Sequence, residues 1–140
     1  MSFKNKNCRI EKTFRDLKDS NKSALITFIT AGDPDFNISA RILFELPSAG
    51  ADLIEIGVPF SDPMADGPII QKSYKRALKN GITLDKVLSL VRMFREQNKH
   101  TPIILMGYYN PFYQKGLKVF FKEAEKVGVD GILIVDLPPE

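Results

Sequence analysis

Leu53-Ile54-Glu55-Ile56-Gly57-Val58-Pro59-Phe60-Ser61-Asp62-Pro63-Met64-Ala65-Asp66-Gly67-Pro68 sets an apolar run of strand length against a stiff loop that carries two carboxylates. The run Leu53 to Val58 is nearly continuous in apolar residues, which is how a strand buried on both faces of a parallel sheet reads. Three further runs share its length and texture: Ala24 to Ile29, Ile103 to Met106, and Ile132 to Val135. Parallel strands need long crossovers between them, so helices are predicted in the intervals.

The intervals carry helical periodicity. Leu117, Phe120, Phe121, Ala124 and Val127 recur at i, i+3, i+4, i+7, with Gly128 placed to end the helix. Leu84, Val87, Leu88, Val91 and Phe94 repeat the pattern after Thr83, an N-cap residue, with Asp85 favourably placed in the first turn. Ile38, Ile42, Leu43 and Leu46 give a shorter stripe that Pro47 must end or bend. Ile10, Phe14 and Leu17 predict a short helix before the first strand, and an extra helix follows the loop that ends at Pro68. The alternation predicts one α/β domain over residues 1–140, four parallel strands with an N-terminal helix. Eight such units in ~250 residues close a barrel, so four make the first half of one. An open doubly wound sheet is the competing architecture, but no Gly-x-Gly-x-x-Gly follows the first strand.

In β/α barrels the C-terminal ends of the strands carry the site, and each strand here ends in small, polar or turn residues. Glu55 stands out because it interrupts a strand expected to be buried on both faces. An unpaired carboxylate there costs several kcal/mol, so it must find a partner or hold its proton more tightly, and both outcomes suit a proton carrier. Its bland alternative is a structural brace paired with Lys or Arg. The prolines around Asp66 stiffen its loop and favour a preorganised carboxylate, although Asp before Gly is also an ordinary turn signal. Asp62 before Pro63 reads first as a turn cap, as do Asp33-Pro34 and Asp136-Leu137-Pro138. Tyr108, Tyr109 and Asn110 suit ligand contact or simple packing equally well. His100 falls at the opposite rim.

Composition narrows the class. The net charge is +3 and the pI near 9.0, yet basic and acidic residues are interleaved, and the stripe Lys72, Lys75, Arg76, Lys79 reads as a solvated helix face, which argues against nucleic acid. The lone Cys8 cannot form an internal disulfide, and no metal-ligand spacing, Ser-His-Asp grouping or phosphate loop appears. Neither a signal peptide nor a membrane span is read, so a cytoplasmic, metal-free protein is expected.

Taken as a block, Leu53 to Pro68 resembles the signature of the tryptophan synthase α subunit family. Phe28-Ile29-Thr30-Ala31-Gly32-Asp33-Pro34, Met106-Gly107-Tyr108-Tyr109-Asn110-Pro111 and Gly131-Ile132-Leu133-Ile134-Val135-Asp136-Leu137-Pro138 extend the resemblance through essentially the whole chain. It implies a TIM (β/α)8 barrel and a lyase of tryptophan biosynthesis. Such an enzyme cleaves indole-3-glycerol phosphate by a retro-aldol reaction into indole and glyceraldehyde 3-phosphate, with no cofactor or metal of its own. On that resemblance Glu55 shuttles protons between indole carbon 3 and the adjacent hydroxyl, and Asp66 accepts the indole N–H. Phe28, Met106, Tyr108 and Leu133 become substrate-binding residues.

The resemblance further implies a pyridoxal-phosphate β subunit as partner in an α2β2 assembly, with Pro59, Asp62 and Asn110 at the contact. The cytoplasm is the expected compartment, with a plastid stroma as the other. Pro47 departs from the family pattern and is expected to shorten its helix. The chain stops just after the fourth strand, so the loops that hold the substrate phosphate are expected beyond residue 140 and the isolated chain is expected to turn over poorly. The alternative is a catalytically incompetent half-barrel that binds the β subunit, or itself, through open sheet edges.

Overall fold

A parallel ladder joined by helices orders its strands as the chain supplies them, provided each crossover returns beside its own strand. The computed structural model describes residues 8–137 and has that order. Its elements are α1 (Arg9–Asp19), β1 (Ile26–Thr30), α2 (Phe36–Glu45), β2 (Leu53–Gly57), α3 (Pro68–Lys79), α4 (Leu84–Gln97), β3 (Ile103–Gly107), α5 (Tyr109–Lys115), α6 (Leu117–Val127) and β4 (Gly131–Ile134). The strands form one sheet in the order β1-β2-β3-β4, all pairs parallel. Residues 1–7, read above as leader-free, and Pro138 to Glu140 of the last predicted turn lie outside the described residues.

The helix boundaries follow the local chemistry. Thr83 caps α4 by accepting from the Lys86 amide, Gly128 takes a φ of +90° to close α6, and α2 stops at Glu45, ahead of Pro47. The departure from expectation is α5, which begins where a loop was predicted. Pro111 sits in its first turn, where a missing N–H costs nothing, and the carboxylate of Asp136 accepts from the Tyr109 amide at 2.7 Å. That cap comes from a residue 27 positions away, so no local signal announces it.

Side chains alternate across each strand, and the register aligns like with like. Ile54, Ile56, Ile103 and Leu105 are 0% exposed and pack in one core with Leu43, Leu90, Val91, Phe94 and Phe120 from the helices. The opposite row pairs Phe28 with Glu55, Glu55 with Ile104, and Met106 with Leu133. These residues are only half-buried, and Leu133 is 40% exposed. The expectation that β2 is buried on both faces therefore fails on one. Helices cover the outer face, whereas the inner face is roofed only in part.

The base of the sheet is fastened by two like-built turns. Gly50 (φ +103°) and Gly128 each lead to an aspartate whose carboxylate and amide engage an earlier strand start. Leu25 N donates to Asp52 Oδ2 at 2.8 Å and Asp52 N to Leu25 O at 2.9 Å. Ile103 N donates to Asp130 Oδ2 at 2.8 Å and Asp130 N to Ile103 O at 2.9 Å. Asp130 additionally takes 2.7 Å ion pairs from Arg9 of α1 and from Arg95 of α4. Arg95 gives its other N–H groups to the carbonyls of Gly128, Asn98 and Thr101. Burial pulls its pKa down to about 10 while Asp130 works the other way, so the guanidinium stays charged at neutral pH. Removing Asp130 strands a buried cation, whereas removing Asp52 leaves one backbone amide unpaired. Asp130→Ala is expected to cost about 3–5 kcal/mol of stability, and Asp52→Ala about 1–2 kcal/mol. Urea unfolding of both variants checks the order, and equal losses would show that the charges at Asp130 contribute nothing.

Candidate active site at the strand C-termini

The loops that follow β1, β2, β3 and β4 meet at one rim, and carboxylates tie them together. Tyr108, directly after β3, donates its hydroxyl to Asp66 Oδ2 at 2.8 Å and accepts from the Ala65 amide at 2.9 Å. Its ring lies 5.3 Å from that of Phe60. Burial, reinforced by the bond to Asp66, pushes the Tyr108 phenol above its ordinary range, so it remains a neutral donor. Gln71 of α3 donates its side-chain amide to the Asp66 carbonyl at 2.8 Å. One oxygen of the Asp66 carboxylate is thus held by Tyr108, and the loop is fixed from two sides.

Glu55 sits two residues below the end of β2, on the inner face. It is half-buried, and among the described residues no hydrogen bond or ion pair engages its side chain. The deep burial expected for it does not hold, because the inner face is not closed above it. The brace reading finds no Lys or Arg partner among the described residues. Phe28, Met106 and Leu133 share this face, and Phe28 leans along it: a Cβ on Gly57 would stand 2.5 Å from the Phe28 ring. Glycine at 57 is therefore what lets that ring lie flat against β2.

The remaining expected positions divide. Tyr108 is 1% exposed and stands behind Asp66 instead of facing the open surface. Pro59 is buried, so it offers no surface to a partner, whereas Asp62 and Asn110 are exposed. Asp62 accepts from the adjacent Ser61 hydroxyl, and beside it Met64 and Ile69 are 83% and 79% exposed. His100 is exposed in the loop before β3, at the far rim.

Three rim residues escaped the sequence reading. Asp33, expected as a turn, accepts two 2.7 Å bonds from the Arg76 guanidinium and a 2.6 Å bond from Ser73, so α3 is clamped to the loop after β1. Arg76 stays exposed, as the stripe predicted, while its guanidinium reaches across to Asp33. Asp136 likewise caps α5 in addition to turning the chain. Tyr74, on the inward side of α3, is 1% exposed with its hydroxyl over Gly57. Only an aromatic set between Ser73 and Lys75 hinted at a buried face there. Among the described residues no group of three or more His, Cys, Asp or Glu could hold a metal ion.

The Arg76 guanidinium holds the Asp33 carboxyl below its ordinary 3.8. A carboxylate depressed on folding contributes stability above its unfolded pKa and loses it as pH falls through the folded value. Asp33→Asn is expected to be less stable than the parent at neutral pH, with the gap closing below about pH 4. Thermal unfolding of both proteins across that range measures it, and a gap independent of pH would mean that the ion pair is not its source.

A sheet of four parallel strands in chain order, carrying its polar loops at the strand C-termini, is the first half of a β/α barrel, with those loops on the rim where such barrels carry their sites. The chain belongs to the tryptophan synthase alpha chain family, whose description matches residues 14–140. Among solved structures it resembles tryptophan synthase subunit alpha from Legionella pneumophila str. Paris at 47% identity, with a TM-score of 0.93, over 95% of this chain and 51% of that one. A tryptophan synthase complex from Pyrococcus furiosus matches at 51% identity, with a TM-score of 0.78, over 82% of this chain and 47% of that one. The chain spans about half the length of the structures it matches. The TIM-barrel fold class expected from sequence is thereby met.

Proposed function

We propose that this chain carries the proton-transfer side of a lyase site that cleaves indole-3-glycerol phosphate into indole and glyceraldehyde 3-phosphate in tryptophan biosynthesis. The observation that carries the proposal is the contrast between the two acids. Glu55 is unpartnered on an inner face lined by Phe28, Met106 and Leu133, whereas Asp66 is anchored through one oxygen and keeps the other for a ligand.

Retro-aldol cleavage needs a proton delivered to carbon 3 of the indole and another removed from the neighbouring hydroxyl. A single carboxyl on a rigid strand can give the first and take the second, provided its surroundings do not tie it to another side chain. Glu55 meets that condition. Protonation at carbon 3 leaves positive charge on the ring nitrogen, and Asp66, held as an acceptor by Tyr108 and Gln71, stabilises it without having to reorganise. Phe28, Met106 and Leu133 supply the apolar surface for the ring.

Replacing Glu55 by Gln keeps shape and removes the proton. With the chain combined with the C-terminal half of the Legionella relative, indole release is expected to fall by about a hundredfold or more. The unfolding midpoint should stay put. Loss of folding together with the activity would instead revive the structural brace.

The same reading supports a partner at the loop after β2. Exposed Met64 and Ile69 stand beside Asp62, next to a groove of about 470 Å³ in which Phe60, Pro63, Pro68 and Leu78 alternate with Ser61, Gln71, Lys72 and Lys75. Large apolar side chains exposed together mark an interaction surface, and the structural relative from Pyrococcus furiosus is a tryptophan synthase complex. The occupant proposed here is a tryptophan synthase β subunit. Met64→Asp with Ile69→Asp should abolish co-sedimentation with that subunit while leaving the fold intact. Undiminished binding would move the interface elsewhere.

A further inference from the structure

A tyrosine is a costly choice for a buried position, because its hydroxyl must be hydrogen-bonded or lose what water gave it. Buried tyrosines therefore usually find a partner. Tyr74 is 1% exposed, and among the described residues its hydroxyl bonds to nothing. Nor is that oxygen sealed in, since Thr27 Oγ1 is the enclosed side-chain atom among the described residues that lacks a partner. The ring is buried, and the hydroxyl stands over Gly57 at the inner face of the sheet.

Its position is well defined. The hydroxyl lies 3.1 Å from where a Cβ on Gly57 would stand, beside the Phe28 ring and two residues above Glu55 on the same strand. The helix that carries it is pinned on both sides, by Gln71 to the Asp66 carbonyl and by Ser73 and Arg76 to Asp33. Burial keeps the phenol protonated, and the nearby Asp66 and Tyr108 push its pKa further the same way. A neutral donor thus neighbours a carboxylate acceptor at one corner of the inner face.

We propose that the Tyr74 hydroxyl is a further ligand-binding group of this site, which donates to an oxygen on the hydroxylated chain of an aromatic ligand whose N–H is taken by Asp66. The inference rests on the functional reading above and adds a contact to it. Acceptor and donor side by side select a ligand that offers both a ring N–H and a chain hydroxyl over one that offers the N–H alone.

Two probes separate these groups: indole, which has only the N–H, and unphosphorylated indole-3-glycerol, which has both. Both are titrated into the chain and followed by chemical-shift changes. Tyr74→Phe keeps the ring against Phe28, so the fold is retained. It should weaken indole-3-glycerol binding about tenfold, the worth of one hydrogen bond at a buried site, and leave indole within about twofold of the parent. Asp66→Asn should weaken both ligands. Equal loss of both ligands in Tyr74→Phe, or no loss of either, overturns the contact while the functional reading stands. Failure of the parent chain to bind either ligand overturns that reading and this contact together.

Discussion

A buried carboxylate organises the base of this molecule. The Asp130 side chain is 7% exposed, yet it joins the first helix through Arg9, the fourth through Arg95, and the start of β3 through a backbone amide. Two guanidiniums and an amide converge on it, so its charge is met on every side and its burial is tolerable. The arrangement also positions α1. Ile10 lies one residue past Arg9, and its Cδ1 is 3.6 Å from where a Gly131 Cβ would be, at the foot of the inner face. Without that junction neither the floor of the sheet nor the entry into β4 would be fixed.

At the other end of the strands the same chemistry serves a different purpose. Asp33, Asp66 and Asp136 each reach from one strand's loop to a neighbouring βα unit, to Arg76, Tyr108 and the Tyr109 amide respectively. Loops are the mobile part of such folds, and a site built on them needs its geometry supplied from outside. These ties supply it. Glu55 is the exception, because its strand already holds it rigid and no side chain constrains its head group.

Much of this was legible in the chain. The four strands, the capping by Thr83 and Gly128, and the early stop of α2 before Pro47 follow from local propensity and periodicity, which act over a few residues. What escaped depends on partners far apart in sequence. The α5 helix is capped by Asp136, the Asp33 clamp spans 43 positions to Arg76, and Tyr74 is defined by what lies above Gly57. The environment of Glu55 was misjudged for a related reason. A continuous apolar run reports that a strand is covered, but it cannot say that the covering on one face is partial.

The two turns at Gly50-Ala51-Asp52 and Gly128-Val129-Asp130 divide the sheet into two equivalent halves, each a strand pair latched at its base. Between β2 and β3 the entry segment His100-Thr101-Pro102 has no Gly-x-Asp turn, and the side-chain tie that crosses there is at the top, from Tyr108 to Asp66. The two modules therefore share their backbone ladder, one apolar core, the Arg9–Asp130 ion pair at the base and this tie at the rim, and the tie at the rim is made by a residue of the candidate site. Asp66 thus lies both at the rim and on the seam between the strand pairs, so the loop that carries the candidate site is also one of the joints of the sheet.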